Sequence, residues 1–282
     1  MANLFPDMPL PPKLPIHEVY DRTVPGPAGE IPIRVFRPSE HDNLPVLIYL
    51  HGGGWTMGNL EVGDDTCREL ANRTGFLVVS VDYRLAPEHK FPAGFDDVYA
   101  VVTWLSAHAS ELGGDASRLA IGGESAGANL TAAVTVHARD NDGPDFAMQL
   151  LVCPVTEYAV ERPSWVEYEQ APILGSDDVL FFWDQYLRDV SDRTDPRATP
   201  MNAESLHGLP PAFVLTAEFD PIRDDGEAYA QRLADAGVPT KLVRYEGIIH
   251  GFLSIVSLER TQQALQDVAD EMIDRIGILH QT

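Results

Sequence analysis

A serine bracketed by glycines, Gly123-Glu124-Ser125-Ala126-Gly127, lies where a strand-like run from Arg118 to Gly122 gives way to a helix-like run from Ala126 to Arg139. This fits G-x-S-x-G in the setting a nucleophile elbow requires: a tight strand-to-helix turn that holds a hydroxyl clear of its neighbours. Glycines suit such a turn because a Cβ at either position would crowd the strained serine and the helix behind it. The helix start also directs free N–H groups and partial positive charge at the serine. The same letters occur in any small-residue turn, so the meaning of the stretch depends on what accompanies it.

Upstream, Val46-Leu47-Ile48-Tyr49-Leu50 is apolar enough for a strand buried on both faces and runs straight into His51-Gly52-Gly53-Gly54-Trp55. Three glycines leave bare backbone N–H groups that can approach a substrate closely. Acyl transfer needs such donors, because the carbonyl oxygen gains charge as the tetrahedral intermediate forms. Gly52 and Gly53 are the expected oxyanion donors, joined by the N–H of Ala126 after the serine. A flexible loop is the alternative for Gly-Gly-Gly, but such a loop rarely follows a buried strand directly or carries both a His and a Trp. Trp55 is an expected substrate contact.

A serine nucleophile needs a base, and the base needs an orienting acid. The strand-like run Ala212–Ala217 is followed by Glu218-Phe219-Asp220-Pro221-Ile222-Arg223-Asp224, which sets Asp220 just past a strand end. Lys241–Tyr245 forms the next run, with His250 beyond it in a glycine-flanked loop. The chain order Ser125, Asp220, His250 is that of α/β-hydrolases and differs from the chymotrypsin and subtilisin orders. Competitors exist for each role. Asp224 and Asp225 suit the dipole at the start of the following helix, Glu218 is close enough to serve as the acid, and His51 is better placed to order the glycine loop. His89, His108, His137 and His207 have no comparable setting.

Taken with Asp82-Tyr-Arg-Leu-Ala-Pro-Glu88, Phe91-Pro92-Ala93, Asp220-Pro-Ile-Arg-Asp224 and His250-Gly-Phe252, these segments resemble the hormone-sensitive-lipase-like carboxylesterases, the bacterial family IV esterases of the α/β-hydrolase superfamily. They fall in the family's order over most of the chain. The resemblance implies a cofactor-free, metal-independent esterase acting on short- to medium-chain acyl esters, with Ser125 as nucleophile, His250 as base and Asp220 as its partner. It also allows a homodimer through the sheet edge or the C-terminal helix. Two departures stand out. The common elbow has Asp before the serine where this chain has Glu124. Relatives usually begin with two cap helices, whereas residues 1–15 carry Pro6, Pro9, Pro11, Pro12 and Pro15, which exclude a helix interior. The N-terminal half of the cap is therefore expected to be truncated, leaving residues 16–282 as one hydrolase domain.

Strand-like runs near residues 31–37, 45–50, 76–81, 118–122, 148–153, 212–217 and 240–245 alternate with helical stretches. Alternation of this kind predicts an α/β fold: a mainly parallel central sheet with helices on both faces. Phe95, Val98, Tyr99, Val102 and Leu105 form one core-facing helical stripe; Leu265, Val268, Met272 and Ile276 form another. The rhythm breaks over residues 156–205, where Ser176-Asp-Asp is a capping sequence for a helix carrying Val179, Phe182, Trp183, Tyr186 and Leu187 on one face. This insertion is expected to form the remaining, reduced cap, with Phe182 and Trp183 reaching substrate and the rest packing onto the body.

A net charge of -23 argues against nucleic acid and anionic membrane surfaces as partners. Cys67 and Cys153 fit neither a metal spacing nor a disulfide framework. With no membrane-spanning run and no apolar leader, a reducing cytoplasm is the simplest setting. The expected partner is a small-molecule ester. Sugar deacetylation or lactone opening would use the same groups. A non-catalytic receptor on this scaffold would be expected to lose a triad member, and an interaction protein would not need the glycine loop.

Overall fold

The computed structural model describes residues 13–277. Residues 1–12, which hold most of the proline-rich segment, lie outside them. The strands are β1 Glu18–Gly26, β2 Gly29–Arg37, β3 Leu44–Leu50, β4 Leu77–Val81, β5 Gly114–Glu124, β6 Met148–Val152, β7 Ala212–Phe219 and β8 Thr240–Ile249. They form one eight-stranded sheet in the order β1-β2-β4-β3-β5-β6-β7-β8. The β1/β2 and β2/β4 pairs are antiparallel, and every pair from β4/β3 to β7/β8 is parallel.

The parallel strands are apolar throughout because both faces are covered. On β3, Val46, Ile48 and Leu50 enter one core layer while Leu47 and Tyr49 enter the other. Helices α1 (Asp64–Thr74) and α7 (Glu259–Ile276) cover the Leu47 face through Cys67, Leu70, Leu265, Val268 and Met272. Helices α2 (Ala93–His108), α3 (Ala126–Asp140) and α6 (Arg223–Asp235) cover the opposite face. The α/β arrangement matches the sequence expectation, and both predicted helical stripes face the core; Tyr99 and Ile276 are only partly buried.

Strand β1 is absent from the predicted runs. It is an edge strand of mixed polarity, half exposed along its length, and its register is set by pairing with β2 from Glu18↔Arg37 to Gly26↔Gly29. The Pro-Gly-Pro-Ala-Gly stretch therefore forms the β1–β2 turn.

Between β6 and β7 the chain leaves the sheet. Here lie α4 (Pro163–Glu167), α5 (Ser176–Tyr186) and short helical turns at Val190–Thr194 and Pro200–Asn202. Helix α5 begins at Ser176 as its sequence predicts, but Gly175 is the cap: its N–H donates to Asp178 Oδ2 at 2.8 Å, while Ser176 Oγ donates to the Trp165 carbonyl. Val179, Trp183 and Tyr186 turn inward and Phe181 outward. Asn129, one turn past the serine on α3, donates from Nδ2 to the carbonyls of Val155 and Ala198 at 2.7 and 2.8 Å, holding together the two ends of this excursion. Among the described residues, no helix is long and apolar enough to cross a membrane.

Candidate active site

The three parallel strands β3, β5 and β7 each end at a residue with chemistry to offer, because parallel strands bring their C-terminal ends to one edge of the sheet. At the end of β5, Ser125 adopts φ 57° and ψ -119°. A non-glycine residue in that conformation is strained and persists only when its surroundings over-determine it. Here the Ser125 N–H is held by the Val152 carbonyl at 2.8 Å, and helix α3 starts at the next residue. The flanking glycines are needed for close approach. A Cβ on Gly127 would lie 2.0 Å from the Leu50 carbonyl oxygen, and one on Gly123 would lie 2.5 Å from the same atom.

Asp220 leaves the end of β7 fully buried, and His250 follows the last residue of β8. The structure brings all three residues into one chain of hydrogen bonds. His250 Nδ1 lies 2.7 Å from Asp220 Oδ2, and His250 Nε2 lies 2.9 Å from Ser125 Oγ. The other Asp220 oxygen accepts the Ile222 N–H at 3.0 Å, which fixes the carboxylate plane. Burial acts to lower the His250 pKa, but the charge and hydrogen bond of Asp220, with the charge of Glu124, outweigh it and the pKa is raised. The competing acids are engaged elsewhere. Glu218 accepts the Gly247 N–H, Asp224 accepts the Ser164 N–H, and Asp225 binds Thr156 through both its N–H and its hydroxyl. Asp224 and Asp225 lie in the first turn of α6, as the sequence suggests, and they also fasten the stretch after β6 to the body.

The glycine loop after β3 lies against the serine. A Cβ on Gly52 would sit 3.3 Å from Ser125 Cβ. Gly53, at φ 118°, accepts the Thr56 and Met57 N–H groups with its carbonyl and so turns the loop back on itself. Among the described residues, neither the Gly52 nor the Gly53 N–H donates to a protein acceptor, and Ala126 opens a helix, where N–H groups have no intrahelical partner. His51 orders this loop. Its ring stacks on Tyr83 at 4.4 Å, its Nδ1 is 2.7 Å from the Gly52 carbonyl, and its own carbonyl accepts the Tyr83 hydroxyl at 2.7 Å. Burial holds its pKa below the ordinary histidine value. The role of Tyr83 was not legible beforehand, because its partner lies in a different segment. Arg84 beside it grips Asp97 of α2 with a bidentate pair, both bonds at 2.8 Å.

The expected substrate contacts separate into two kinds. Trp55 and Trp183 are 3% and 1% exposed and pack with Tyr186 in an aromatic stack, Trp55 lying 4.3 Å from Tyr186 and 4.5 Å from Trp183. They join the insertion to the glycine loop from the inside. Phe182 is only partly buried, and its ring lies over Gly54, where a Cβ would come within 2.3 Å of it. Of the three, Phe182 is the side chain left partly open, against the glycine loop.

Cys153, Asp220 and His250 bring their donor atoms within 4.8 Å of one another. A metal would need the Cys153 thiolate, but burial and the charge of Asp220 push that thiol well above the ordinary cysteine range. Asp220 and His250 are in turn committed to each other.

The family described as alpha/beta hydrolase fold matches residues 47–254. Over 251 residues the chain is 46% identical to carboxylesterase NlhH of Mycobacterium tuberculosis, covering 86% of this chain and 78% of that protein. It is 44% identical to carboxylic ester hydrolase LipN of the same organism, covering 86% of this chain but spanning 66% of LipN. Among solved structures, a hyperthermophilic esterase from the archaeon Pyrobaculum calidifontis superimposes with a TM-score of 0.89 at 43% identity, covering 92% of this chain and 84% of that one. Fold, motif order and relatives agree: the chain belongs to the α/β-hydrolase fold family, among its hormone-sensitive-lipase-like carboxylesterases.

Proposed function

We propose that this protein is a serine carboxylesterase that hydrolyses short- to medium-chain carboxylic esters through an acyl-enzyme. The observation that carries this is the continuous hydrogen-bonded line from Asp220 through His250 to a strained Ser125, with free N–H groups beside it. His250 Nε2 takes the Ser125 proton as Oγ attacks the ester carbonyl. The N–H groups of Gly52, Gly53 and Ala126 receive the developing oxyanion. His250 then gives its proton to the departing alkoxide, releasing the alcohol. Water repeats the sequence on the acyl-serine, and the carboxylic acid leaves. Asp220 keeps the imidazole in the tautomer with its proton on Nδ1 and stabilises the imidazolium. Each oxyanion donor is worth about 3 kcal/mol of barrier.

The stretch 156–205 acts in this reading as a reduced cap. Met57 abuts Gly53 and Phe181 adjoins the Phe182 ring over Gly54; at 52% and 56% exposed they leave apolar surface uncovered around the glycine loop, which supports tolerance of bulky alcohol groups. The buried, unpaired Cys67 and Cys153 are in keeping with a cytoplasmic setting. Pairing of two copies through the free edge of β8 or through α7 belongs to the same reading, and sedimentation would test it.

The test is hydrolysis of p-nitrophenyl acetate, butyrate, octanoate and palmitate by the wild type and Ser125→Ala. Turnover of the shorter esters that vanishes in the variant is the expected result. Equal rates in both proteins would overturn the proposal.

A further inference from the structure

Glu124 closes β5 immediately before the nucleophile, and its side chain is 2% exposed. A carboxylate is rarely buried to that degree without partners. Its partners are not on its own element. Oε1 accepts the Leu253 N–H at 2.9 Å, and Oε2 accepts the Ser254 hydroxyl. Leu253 and Ser254 belong to the short helical turn Phe252–Ser254, which begins two residues after His250. Thus the residue before the nucleophile reaches across to the turn that carries the base.

Resting on the serine-hydrolase function proposed above, we propose that Glu124 is a positioning residue that fastens the His250 turn to the serine elbow and supplies a second negative charge facing the imidazole. The other ties on this turn are neutral. Thr66 of α1 donates its hydroxyl to the Leu253 carbonyl at 3.2 Å, and Thr261 of α7 donates to the Phe252 carbonyl at 2.7 Å. Among the described residues, Glu124 is the side chain of β5 that joins the base's turn to the nucleophile's strand, so it governs the Ser125–His250 separation more closely than the ties from α1 or α7. Its length matters. An aspartate on the same Cα is shorter by one C–C bond, about 1.5 Å, which turns a bond of 2.9 Å into a gap too long for a hydrogen bond unless the turn moves. The Glu-for-Asp departure in this elbow is therefore matched by the distance it spans.

The charge acts on the same residue. His250 is faced by Asp220 from the end of β7, by Glu124 from β5 and by Cys153 from beyond β6; Tyr49 of β3 lies close to Glu124. Burial keeps Cys153 and Tyr49 neutral by pushing both well above their ordinary ranges. Two carboxylates thus remain around one imidazole. Burial also raises the Glu124 pKa, and the Ser254 hydroxyl, the His250 charge and the backbone N–H groups at Leu253 and Ser254 oppose that rise. A neighbouring anion favours the imidazolium, so removing it moves the histidine's protonation to lower pH.

Three variants separate reach from charge. Glu124→Gln keeps the reach and loses the charge; Glu124→Asp keeps the charge and loses the reach; Ser254→Ala removes one bond and leaves the carboxylate. The His250 imidazole is followed by NMR titration, its signal identified by its disappearance in His250→Ala, alongside the pH dependence of kcat/KM for p-nitrophenyl butyrate. In Glu124→Gln the His250 midpoint and the acidic limb both fall by about half a pH unit or more. In Glu124→Asp and Ser254→Ala the limb stays in place while kcat drops about tenfold and KM changes little. Should Glu124→Gln fail to fold, the kcat-against-KM split in Ser254→Ala still decides the positioning half. The proposal is overturned if Glu124→Gln titrates like the wild type, or if Glu124→Asp and Ser254→Ala turn over at wild-type rates. The NMR midpoint does not depend on turnover, so an inactive wild type would defeat the esterase function while the Glu124 proposal is still decided.

Discussion

At the scale of residues, the site is a set of side chains whose partners lie far away in sequence, and each variant should fail in its own way. Asp220→Asn leaves the geometry in place but favours the wrong imidazole tautomer, so kcat should fall about 10⁴-fold with KM little altered. Steady-state kinetics on p-nitrophenyl butyrate checks this, and a loss below tenfold would mean that Asp220 does not orient His250. Gly54→Ala should displace the Phe182 ring, because the new Cβ would lie 2.3 Å from it at a φ of 57°. Thermal denaturation should show a destabilised protein, with stability partly recovered in Gly54→Ala/Phe182→Ala; a double variant no better than the single would remove the steric explanation. The meeting of Ser125, Asp220 and His250 beside the glycine loop was legible from sequence because each follows a recognisable strand and offers a group that acyl transfer would need. Trp55 and Trp183 were not. Their aromatic character allowed either substrate contact or packing, and only the stack with Tyr186 shows that they hold the insertion against the loop.

At the scale of elements, the insertion is fastened by buried polar groups where it meets the sheet. Asp225 of α6 accepts the Thr156 N–H at 2.7 Å and the Thr156 hydroxyl at the insertion's entry. Burial raises its pKa from 3.8 to about 7, despite those bonds. Between these values the folded protein holds a proton that the unfolded chain has released, so this residue's contribution to stability declines as pH rises from 4 toward 7. Above that window the full cost of the buried charge is present. The melting temperature should therefore fall less steeply from pH 5 to 8 in Asp225→Asn than in the wild type. Parallel slopes would show that Asp225 is already ionised throughout. From sequence the two aspartates read as helix-start acids, which their position supports, but a first-turn carboxylate can equally face a neighbouring segment. Strand β1 escaped for a similar reason: an edge strand covered on one side has too mixed a pattern to stand out from a loop.

At the scale of the whole molecule, acidic residues outnumber basic ones by 43 to 20, so like-charge repulsion outweighs the exposed ion pairs. Added salt screens that repulsion. The melting temperature should rise by about 2–4 °C between low and moderate NaCl, the change expected for about 1 kcal/mol in a chain of this size. A steady fall with salt would instead show that ion pairs such as Arg34 with Asp21, Glu61 and Asp64 dominate. The parallel sheet was readable because buried strands are continuously apolar and alternate with helices, while residues 156–205 were readable only at the helix Ser176–Tyr186, since the irregular turns around it carry no period. Yet that stretch is held at its start and near its end by a single carboxamide: Asn129 grips both Val155 and Ala198. Its two stems are thus clamped as one joint on the helix that follows Ser125. The stretch between them is a cassette on two fixed stems, and an exchange of sequence with junctions at those two carbonyls would leave the glycine loop supported only where Trp183 and Tyr186, the rings that pack on Trp55, are kept.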